Sequence, residues 1–182
     1  MEFVRTRIPD VVLIKPRVFG DPRGFFLESW KESAFEAAGL PLRFVQDNHS
    51  HSGQWVLRGL HYQVRHPQGK LVRVTRGAVF DVAVDVRRGS PTHGQWVGAE
   101  LSDSNHHMFW VPPGFAHGFL TLTDNVDFLY KCTDIYAPEH ERVICWNDSS
   151  INIEWPIPAG ITPQLSARDA KGASLGVAEL PP

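Results

Sequence analysis

The chain reads as a series of short apolar runs separated by glycine and proline. The runs are rich in Val, Phe, Trp and Tyr, and their lengths are typical of β-strands rather than helices. Strands are predicted over residues 11–19, 25–28, 44–50, 55–64, 70–75, 78–86, 95–101, 107–111, 117–123, 127–136 and 143–146. Many short strands with regular turn signals predict an all-β domain, built as a double sheet or a barrel.

The clearest alternation lies in FDVAVDV, residues 80–86, where Phe and Val alternate with Asp and Ala. A period of two places the large apolar side chains on one face of a strand. The other face is then directed toward water or toward a lined cavity. Arg76 and Gly77, which stand between two apolar runs, predict a hairpin turn.

One short helix is predicted after the second strand. Ser29 and Glu32 have the spacing of a capping box, an alanine-rich stretch follows over residues 34–38, and Gly39 suits the C-terminal cap. The final stretch KGASLGVAELPP, residues 171–182, is typical of a loosely held tail. We therefore predict a single domain over residues 1–182, with its core in about residues 1–170 and one or a few short helices.

The composition narrows the class of protein further. Lys and Arg number 18 against 20 Asp and Glu, for a formal net charge of -2 at pH 7, so nucleic acid is not an expected partner. No segment has the apolar pattern of a membrane span or of a signal peptide, and we expect neither. Cys132 and Cys145 form no disulfide framework or zinc-binding pattern, which favours a reducing, cytoplasmic location.

Two of the nine histidines, His49 and His51, form an H-x-H pair. On a strand both imidazoles would lie on one face, as a metal site requires. The alternative is an ordinary polar strand face. We favour that alternative, because no suitable glutamate follows closely and no second H-x-H pair occurs.

A charged and an ionisable residue interrupt the apolar run LRGLHYQ, residues 57–63. Strict alternation would direct Arg58 and His61 to opposite faces, with His61 as a core histidine and Arg58 at an edge. A bulge at Gly59 would instead bring both side chains into one cavity. The segment alone slightly favours the first arrangement.

The run WVPPGFAHGF, residues 110–119, resembles the second motif of cupins, a proline-glycine turn that delivers a histidine onto a barrel strand. Metal-binding cupins pair this histidine with ligands from a first motif, where this chain has His61, Tyr62 and Gln63. A metal site is therefore not predicted. Tyr130 and Tyr136 would share a face if residues 127–136 form one straight strand, whereas residues 138–142 and 165–169 look like surface loops, the second with a Ser-capped turn.

Taken together, these segments resemble the dTDP-4-dehydrorhamnose 3,5-epimerase family, whose members are cupin-like, double-sheet jelly rolls. The resemblance runs almost from end to end of the chain. It is carried by the segments FGDPRGFFLE (19–28), FVQDNHS (44–50), LRGLHYQ (57–63), QGKLV (68–72), GFAHGF (114–119), WND (146–148) and LSARD (165–169).

The resemblance implies epimerisation at C3 and C5 of dTDP-4-dehydro-6-deoxy-D-glucose, giving dTDP-4-dehydro-L-rhamnose without a metal or redox cofactor. His61 would be the base that removes a proton next to the C4 ketone, because a neutral imidazole is poised near pH 7. Asp169 would orient His61, and Lys70 would stabilise the enolate oxygen. Tyr130 would return a proton from the opposite face of the sugar ring.

The resemblance also implies how the small-molecule substrate is bound. Two arginines, Arg23 and Arg58, would contact the diphosphate. Tyr136, with Phe19 and Phe26, would stack on thymine. Polar contacts to the nucleotide or sugar would come from Glu28, Gln46, Asn48, His117 and Glu141. Arg168 stands where the family commonly has lysine, which keeps the charge but changes the contact geometry. The family is homodimeric, with strands exchanged between subunits, and we expect a homodimer.

Three other functions compete with this interpretation. A metal-dependent cupin oxygenase would use His49, His51 or His117, but further ligands are missing at the expected spacing. A binding protein without catalysis would have lost the base or the acid, whereas His61 and Tyr130 are both present. A mono-epimerase would keep largely the same residues, so the sequence leaves open whether one carbon or both are inverted.

Overall fold

The computed structural model describes residues 1–40 and 43–181, and in them the chain forms a two-sheet β-sandwich. The strands are β1 (Glu2–Arg5), β2 (Val12–Lys15), β3 (Val18–Asp21), β4 (Gly24–Leu27), β5 (Gln46–Ser52), β6 (Leu57–Gln63), β7 (Lys70–Arg76), β8 (Ala78–Asp85), β9 (Trp96–Ser102), β10 (Met108–Val111), β11 (Phe115–Thr121), β12 (Val126–Cys132) and β13 (Glu141–Val143). One sheet has the order β1-β2-β10-β7-β12-β5 and the other the order β13-β6-β11-β8-β9, all antiparallel. The predicted all-β, cupin-like jelly roll is confirmed.

The main core lies between the two sheets. Val72 and Phe128 from the six-stranded sheet pack against Phe115 and Phe119 from the five-stranded sheet. Strand β8 lies between β11 and β9 in its sheet and is buried on both faces, and its Asp81 and Asp85 are fully buried. The polar face predicted for residues 78–86 therefore looks into the interior of the sandwich and not into water.

The outer face of the five-stranded sheet is covered by the C-terminal part of the chain. Leu175, Ala178 and Leu180 pack on this face, and the Tyr62 hydroxyl donates to the Glu179 carbonyl oxygen at 2.7 Å. The prediction of a loosely held tail over residues 171–182 was wrong for residues 171–181, because the apolar side chains of this stretch cover a face that would otherwise be exposed. Its last residue, Pro182, lies outside the described residues.

The helix α1 (Glu32–Ala37) packs Phe35 against the outer face of the six-stranded sheet. It begins after Lys31, which has extended backbone and makes no capping bond, so the predicted capping box at Ser29 was wrong. Its end was predicted correctly. Gly39 has a φ of 76°, and its N–H and that of Leu40 donate to the carbonyls of Glu36 and Phe35, which satisfies the last turn. No helix in the described residues is long and apolar enough to cross a membrane.

Several predicted boundaries shift, and one prediction was wrong in kind. Arg76 and Gly77 do not form a hairpin, because β7 and β8 belong to different sheets and this turn carries the chain from one to the other. The strand predicted over residues 11–19 is divided into β2 and β3 around Pro16, which has no N–H to donate to a ladder. The short strand β1 was not predicted. Strand β13 begins two residues before the strand predicted at 143–146 and overlaps it only at residue 143.

Strands β3 and β4 form a hairpin that stands apart from both sheets. They pair only with each other among the described strands, and nearly all their residues are exposed. Phe19 and Phe26 pack on each other with 6.5 Å between ring centroids, yet they remain 48% and 65% exposed. The hairpin is thus an exposed apolar projection from the sandwich.

Candidate active site

A bulge in β6 brings Arg58 and His61 to one face. In the pairing with β11, Arg58 lies opposite Phe119 and His61 lies opposite His117. Residues 117 and 119 share a face, so the longer interval on β6 contains one extra residue and its two ends share a face as well. Gly59 permits this, because its φ is 116° and a Cβ there would lie 2.6 Å from the Gly118 Cα. The arrangement with Arg58 and His61 on opposite faces was wrong.

His61 is hydrogen-bonded to Asp169, from a part of the chain 108 residues away. The His61 Nε2 and Asp169 Oδ1 atoms are 2.6 Å apart, and the side chains are 28% and 4% exposed. The Asp169 N–H donates to Ser166 Oγ at 3.0 Å, which is the predicted Ser-capped turn. Burial would raise the pKa of the Asp169 carboxyl, but the hydrogen bond and charge of His61 outweigh burial and lower it. Residues 165–169 are therefore not a plain surface loop.

A small cavity that opens to solvent adjoins this pair. It contains Lys70, the first residue of β7, and burial lowers the pKa of the Lys70 ammonium. Tyr130 faces inward from β12 and packs against the sandwich core, and burial raises the pKa of its phenol to about 12. The residues that line the cavity include His61, Gln63, Gln68, Lys70 and Glu141.

A second histidine–aspartate pair lies deeper in the sandwich. The His117 Nε2 is 3.0 Å from both carboxylate oxygens of Asp81, and both side chains are buried. Burial raises the pKa of Asp81 and lowers the pKa of His117, and in each case it outweighs the attraction between the two groups. The His117 ring also stacks on Phe128, the residue two before Tyr130 on β12.

Strand β5 contributes a polar row to the inner face of its sheet. Gln46 Nε2 donates to Asn48 Oδ1 at 3.0 Å, and Asn48 Nδ2 donates to Cys132 Sγ at 3.5 Å. Cys132 lies opposite Lys70 on the neighbouring strand, and burial raises the pKa of its thiol. Arg58 is fixed from the same strand, since its Nε donates to Ser52 Oγ at 3.1 Å.

Tyr136, Glu141 and Arg168 form one hydrogen-bonded cluster at the rim of the cavity. The Tyr136 hydroxyl donates to Glu141 Oε2 at 2.7 Å, and Arg168 pairs with the same oxygen and lies 3.4 Å from the Tyr136 hydroxyl. Two predictions from the residues alone were wrong here. Tyr136 lies in the loop after β12 and does not share a strand face with Tyr130, and Glu141 begins β13 and does not lie in a surface loop.

Four of the predicted binding residues are not brought to this cavity within the chain. Phe19 and Phe26 are on the exposed β3–β4 hairpin, Arg23 pairs with Asp21 in its turn, and Glu28 pairs with Lys31 before α1. The ring contacts and ion pairs of these four residues are made within the hairpin or with residues adjacent to it in sequence. Of the remaining predicted site residues, His61, Lys70 and Glu141 line the cavity, and Asp169, Tyr136 and Arg168 bond to residues that line it. The others lie on the inner faces of the two sheets: Gln46, Asn48, Arg58, His117 and Tyr130.

The H-x-H pair has an ordinary role on the opposite face of β5. His49 and His51 both bond Asp127 Oδ1, at 3.2 and 2.9 Å, and both side chains are more than half exposed. This is the polar strand face that the sequence favoured. Within residues 1–40 and 43–181, no group of three or more His, Cys, Asp or Glu side chains has an arrangement that could hold a metal ion.

Sequence reasoning missed four residues around the cavity: Gln63, Gln68, Asp81 and Cys132. Asp81 had a signal, because an aspartate within an apolar strand must find a partner when both faces are buried. Gln63 had one as well, since it stands where metal-binding cupins place a ligand. Gln68 and Cys132 had none, because their roles depend on which strands lie side by side.

Known proteins are similar to this chain over almost its whole length. Residues 5–176 match the family model described as dTDP-4-dehydrorhamnose 3,5-epimerase. The enzyme of that name from Pseudomonas aeruginosa is 58% identical over 180 residues, which is 98% of each chain. The crystal structure of the Legionella pneumophila 3,5-epimerase in complex with dTDP-4-keto-L-rhamnose gives a TM-score of 0.95 at 49% identity, covering 99% of this chain and 97% of that one. The Mycobacterium tuberculosis epimerase gives 0.93 at 40% identity, covering 97% and 89%.

Proposed function

Because the chain belongs to the dTDP-4-dehydrorhamnose 3,5-epimerase family, we propose that His61, Asp169, Lys70 and Tyr130 carry out this family's reaction in the cavity between the sheets. The chain is an isomerase that inverts C3 and C5 of dTDP-4-dehydro-6-deoxy-D-glucose to give dTDP-4-dehydro-L-rhamnose. The observation that best supports the assignment of residues is the 2.6 Å bond between His61 Nε2 and Asp169 Oδ1 beside the cavity that contains Lys70.

His61 is the base in this proposal. When its Nε2 carries the proton and donates to the ionised Asp169, Nδ1 keeps a free lone pair. The lowered pKa of Asp169 keeps that carboxyl ionised at neutral pH, so it fixes the tautomer and stabilises the imidazolium that forms. A proton next to the C4 ketone of the substrate is then transferred to Nδ1.

Lys70 and Tyr130 complete the proton transfers. Loss of the proton places negative charge on the C4 oxygen of the substrate, where the Lys70 ammonium stabilises the enolate. Tyr130 belongs to the sheet opposite His61, and its raised pKa keeps the phenol protonated. It donates a proton to the face of the ring that the base does not reach, and the carbon is inverted.

The rim of the cavity binds the nucleotide in this proposal. Arg58, which is held by Ser52, contacts the diphosphate. Tyr136 stacks on thymine. Polar contacts to the nucleotide or sugar come from Gln46, Asn48, His117, Glu141 and Arg168.

A second copy of the chain supplies the four residues that lie away from the cavity. Strand β5 is the outermost strand of its sheet and carries the polar row beside the cavity. An unpaired edge of this kind accepts another strand, and the exposed apolar hairpin β3–β4 offers one. We place Phe19, Arg23, Phe26 and Glu28 of each subunit at the cavity of its partner in a homodimer. The two free cysteines, Cys132 and Cys145, favour a cytoplasmic location.

The reaction is tested with dTDP-4-dehydro-6-deoxy-D-glucose in deuterated water, with the position of deuterium read by NMR. Deuterium at both C3 and C5 is the expected result, and deuterium at one carbon alone would show a mono-epimerase. His61→Asn should incorporate no deuterium, whereas His93→Asn, a change at an exposed histidine, should behave as the parent protein. Exchange that survives in His61→Asn would overturn the assignment of the base.

The homodimer is tested by mixing two inactive variants, Arg23→Ala and His61→Asn, under conditions that exchange subunits. If Arg23 serves the partner's cavity, each mixed dimer contains one intact site and activity returns. If Arg23 serves its own chain, no site is intact and the mixture stays inactive. Light scattering gives the oligomeric state of each variant.

A further inference from the structure

The loop that carries Tyr136 is held by glutamine side chains at four successive residues. Gln68 Nε2 donates to the Asp134 carbonyl at 2.8 Å, and Gln63 Nε2 donates to the Ile135 carbonyl at 3.3 Å. The N–H of Tyr136 donates to Gln46 Oε1 at 2.9 Å, and the N–H of Ala137 donates to Gln63 Oε1 at 2.9 Å. The three glutamines come from β5, from β6 and from the connection between β6 and β7.

Gln63 is the central member of this set. Its side chain is buried, and it bonds the loop on both sides of Tyr136, at Ile135 and at Ala137. Its Nε2 also donates to the His66 carbonyl at 2.6 Å. An amide is required at this position, because only an amide offers both donors and an acceptor. A carboxylate would keep the bond from Ala137 but would lose both bonds to carbonyl oxygens.

Gln63 is also close to the chemistry without taking part in it. It lies two residues after His61 on β6, opposite Glu141 of β13, and it lines the same cavity. Its amide does not titrate near neutral pH, and it neither bonds His61 nor Lys70. Gln63 holds the backbone on both sides of Tyr136, and Glu141 holds the hydroxyl of the Tyr136 ring.

We propose that Gln63 is a positioning residue that sets the affinity for the nucleobase by holding the Tyr136 loop, with Gln68 in a supporting role. The inference rests on the proposed stacking of Tyr136 on thymine. The position that supplies a metal ligand in metal-binding cupins serves in this chain to build the base-binding platform. Disturbing Gln63 therefore weakens nucleotide binding and leaves the proton transfers at His61 and Tyr130 nearly intact.

The test replaces Gln63 by its closest isostere, Gln63→Glu. Calorimetry should show dTDP binding weakened about 10-fold, whereas binding of inorganic pyrophosphate, which has no base, changes less than about 2-fold. KM for the sugar nucleotide should rise and kcat should stay within about 3-fold. Gln54→Glu is the matched control, since Gln54 also donates to a loop carbonyl, that of Leu122 at 2.7 Å, on an exposed part of the surface. It should leave both affinities unchanged.

A double-mutant cycle separates this inference from the proposed function. If Gln63 acts through Tyr136, then Gln63→Glu adds nothing to the loss of dTDP affinity in a Tyr136→Ala background. If Tyr136→Ala leaves dTDP affinity unchanged, the stacking role fails. The inference about Gln63 is overturned if Tyr136→Ala weakens dTDP binding and Gln63→Glu in that background weakens it by the same factor as in the parent protein. It is also overturned if Gln63→Glu weakens pyrophosphate binding as much as dTDP binding.

A milder variant keeps the test decisive if Gln63→Glu does not fold. Gln68→Met removes only the bond to the Asp134 carbonyl. We expect it to weaken dTDP binding about 3-fold, again without an effect on pyrophosphate. An unchanged affinity for dTDP would contradict the idea that the glutamines position the loop.

Discussion

His61 with Asp169 and His117 with Asp81 are the same two residue types, placed on the neighbouring strands β6 and β11 and on the elements beside them. The first pair has one short bond and a histidine that is partly exposed to the cavity. The second pair is buried, with the His117 nitrogen between two oxygens at equal distance. Asp169 has a lowered pKa and Asp81 a raised pKa. The balance between burial and pairing therefore shifts the pKa values of the two carboxyls in opposite directions, although the residue types are the same.

The largest effect should come from His61→Asn. Removing the proposed base should reduce kcat by at least about 10³-fold, because His61 is the imidazole at the cavity that a carboxylate orients. The partly exposed histidine contributes little to the core, so Tm should change little. Steady-state kinetics and thermal melts check this result. A kcat within 10-fold of the parent would mean that the two pairs are not functionally different.

Asp81→Ala should have the opposite profile, with its effect mainly on stability. Breaking a buried pair leaves His117 without its partner in the interior, which costs about 3 kcal/mol in the free energy of unfolding. For Asp169→Ala we expect a smaller loss of stability and a larger loss of kcat, because Asp169 lies at the cavity. Chemical denaturation and kinetics on both variants provide the comparison, and equal losses of stability would contradict it.

The pH dependence of stability should distinguish the pairs next. The pKa of His117 is lowered in the folded protein. Between pH 7 and 5 the His117 imidazole is therefore protonated in the unfolded chain but stays neutral in the folded chain. Stability is lost as the pH falls, by at most about 2 kcal/mol over this range. The raised pKa of Asp81 acts in the opposite direction, because the folded protein takes up that proton first.

His117→Gln removes the first of these contributions and leaves the second. The variant should therefore lose less stability than the parent protein between pH 7 and pH 5, as measured by urea denaturation at each pH. The same measurement on His93→Asn, at an exposed site, serves as the control. A steeper loss in His117→Gln would show that the buried imidazole is charged in the folded state.

The smallest effect is expected at the third histidine–aspartate contact, on the outer face of β5. His49 and His51 share Asp127 in a setting open to water, where such contacts contribute little. His51→Gln should leave Tm and kcat unchanged within error. A measurable loss of activity would show that this face of β5 is part of the site or of an interface that supports it.

The sequence was informative where one residue has only one physical explanation. Gly39 predicted the end of the helix, and Gly59 offered a bulge as the alternative to the regular strand that the segment slightly favoured. Alternation predicted β8 and its two faces. These signals are local, and they were enough for the fold class, whereas the set of site residues came from the resemblance.

The features that sequence missed depend on contacts between distant segments. Tyr136 follows an apolar run that predicts a strand, but glutamine side chains from three other segments bond the backbone around it and hold it in a loop. Arg76 and Gly77 have hairpin chemistry, yet the two strands they join pair with other partners. The C-terminal stretch is polar enough to look mobile, and only the sheet beneath it explains why Leu175 and Leu180 are held. The partner assignment of Asp169 came from resemblance and not from the residues alone.

The C-terminal segment that covers the five-stranded sheet has a consequence for synthesis. Leu60 and Tyr62, which flank His61 on β6, are covered by residues that are synthesised much later, since Tyr62 and its partner Glu179 are 117 residues apart. Asp169 also emerges long after His61. During translation the apolar face of the nascent sheet therefore stays uncovered, and His61 lacks its carboxylate partner, until these later residues have been synthesised. Premature termination even a few residues before Leu175 should leave a chain that aggregates rather than a weakened enzyme.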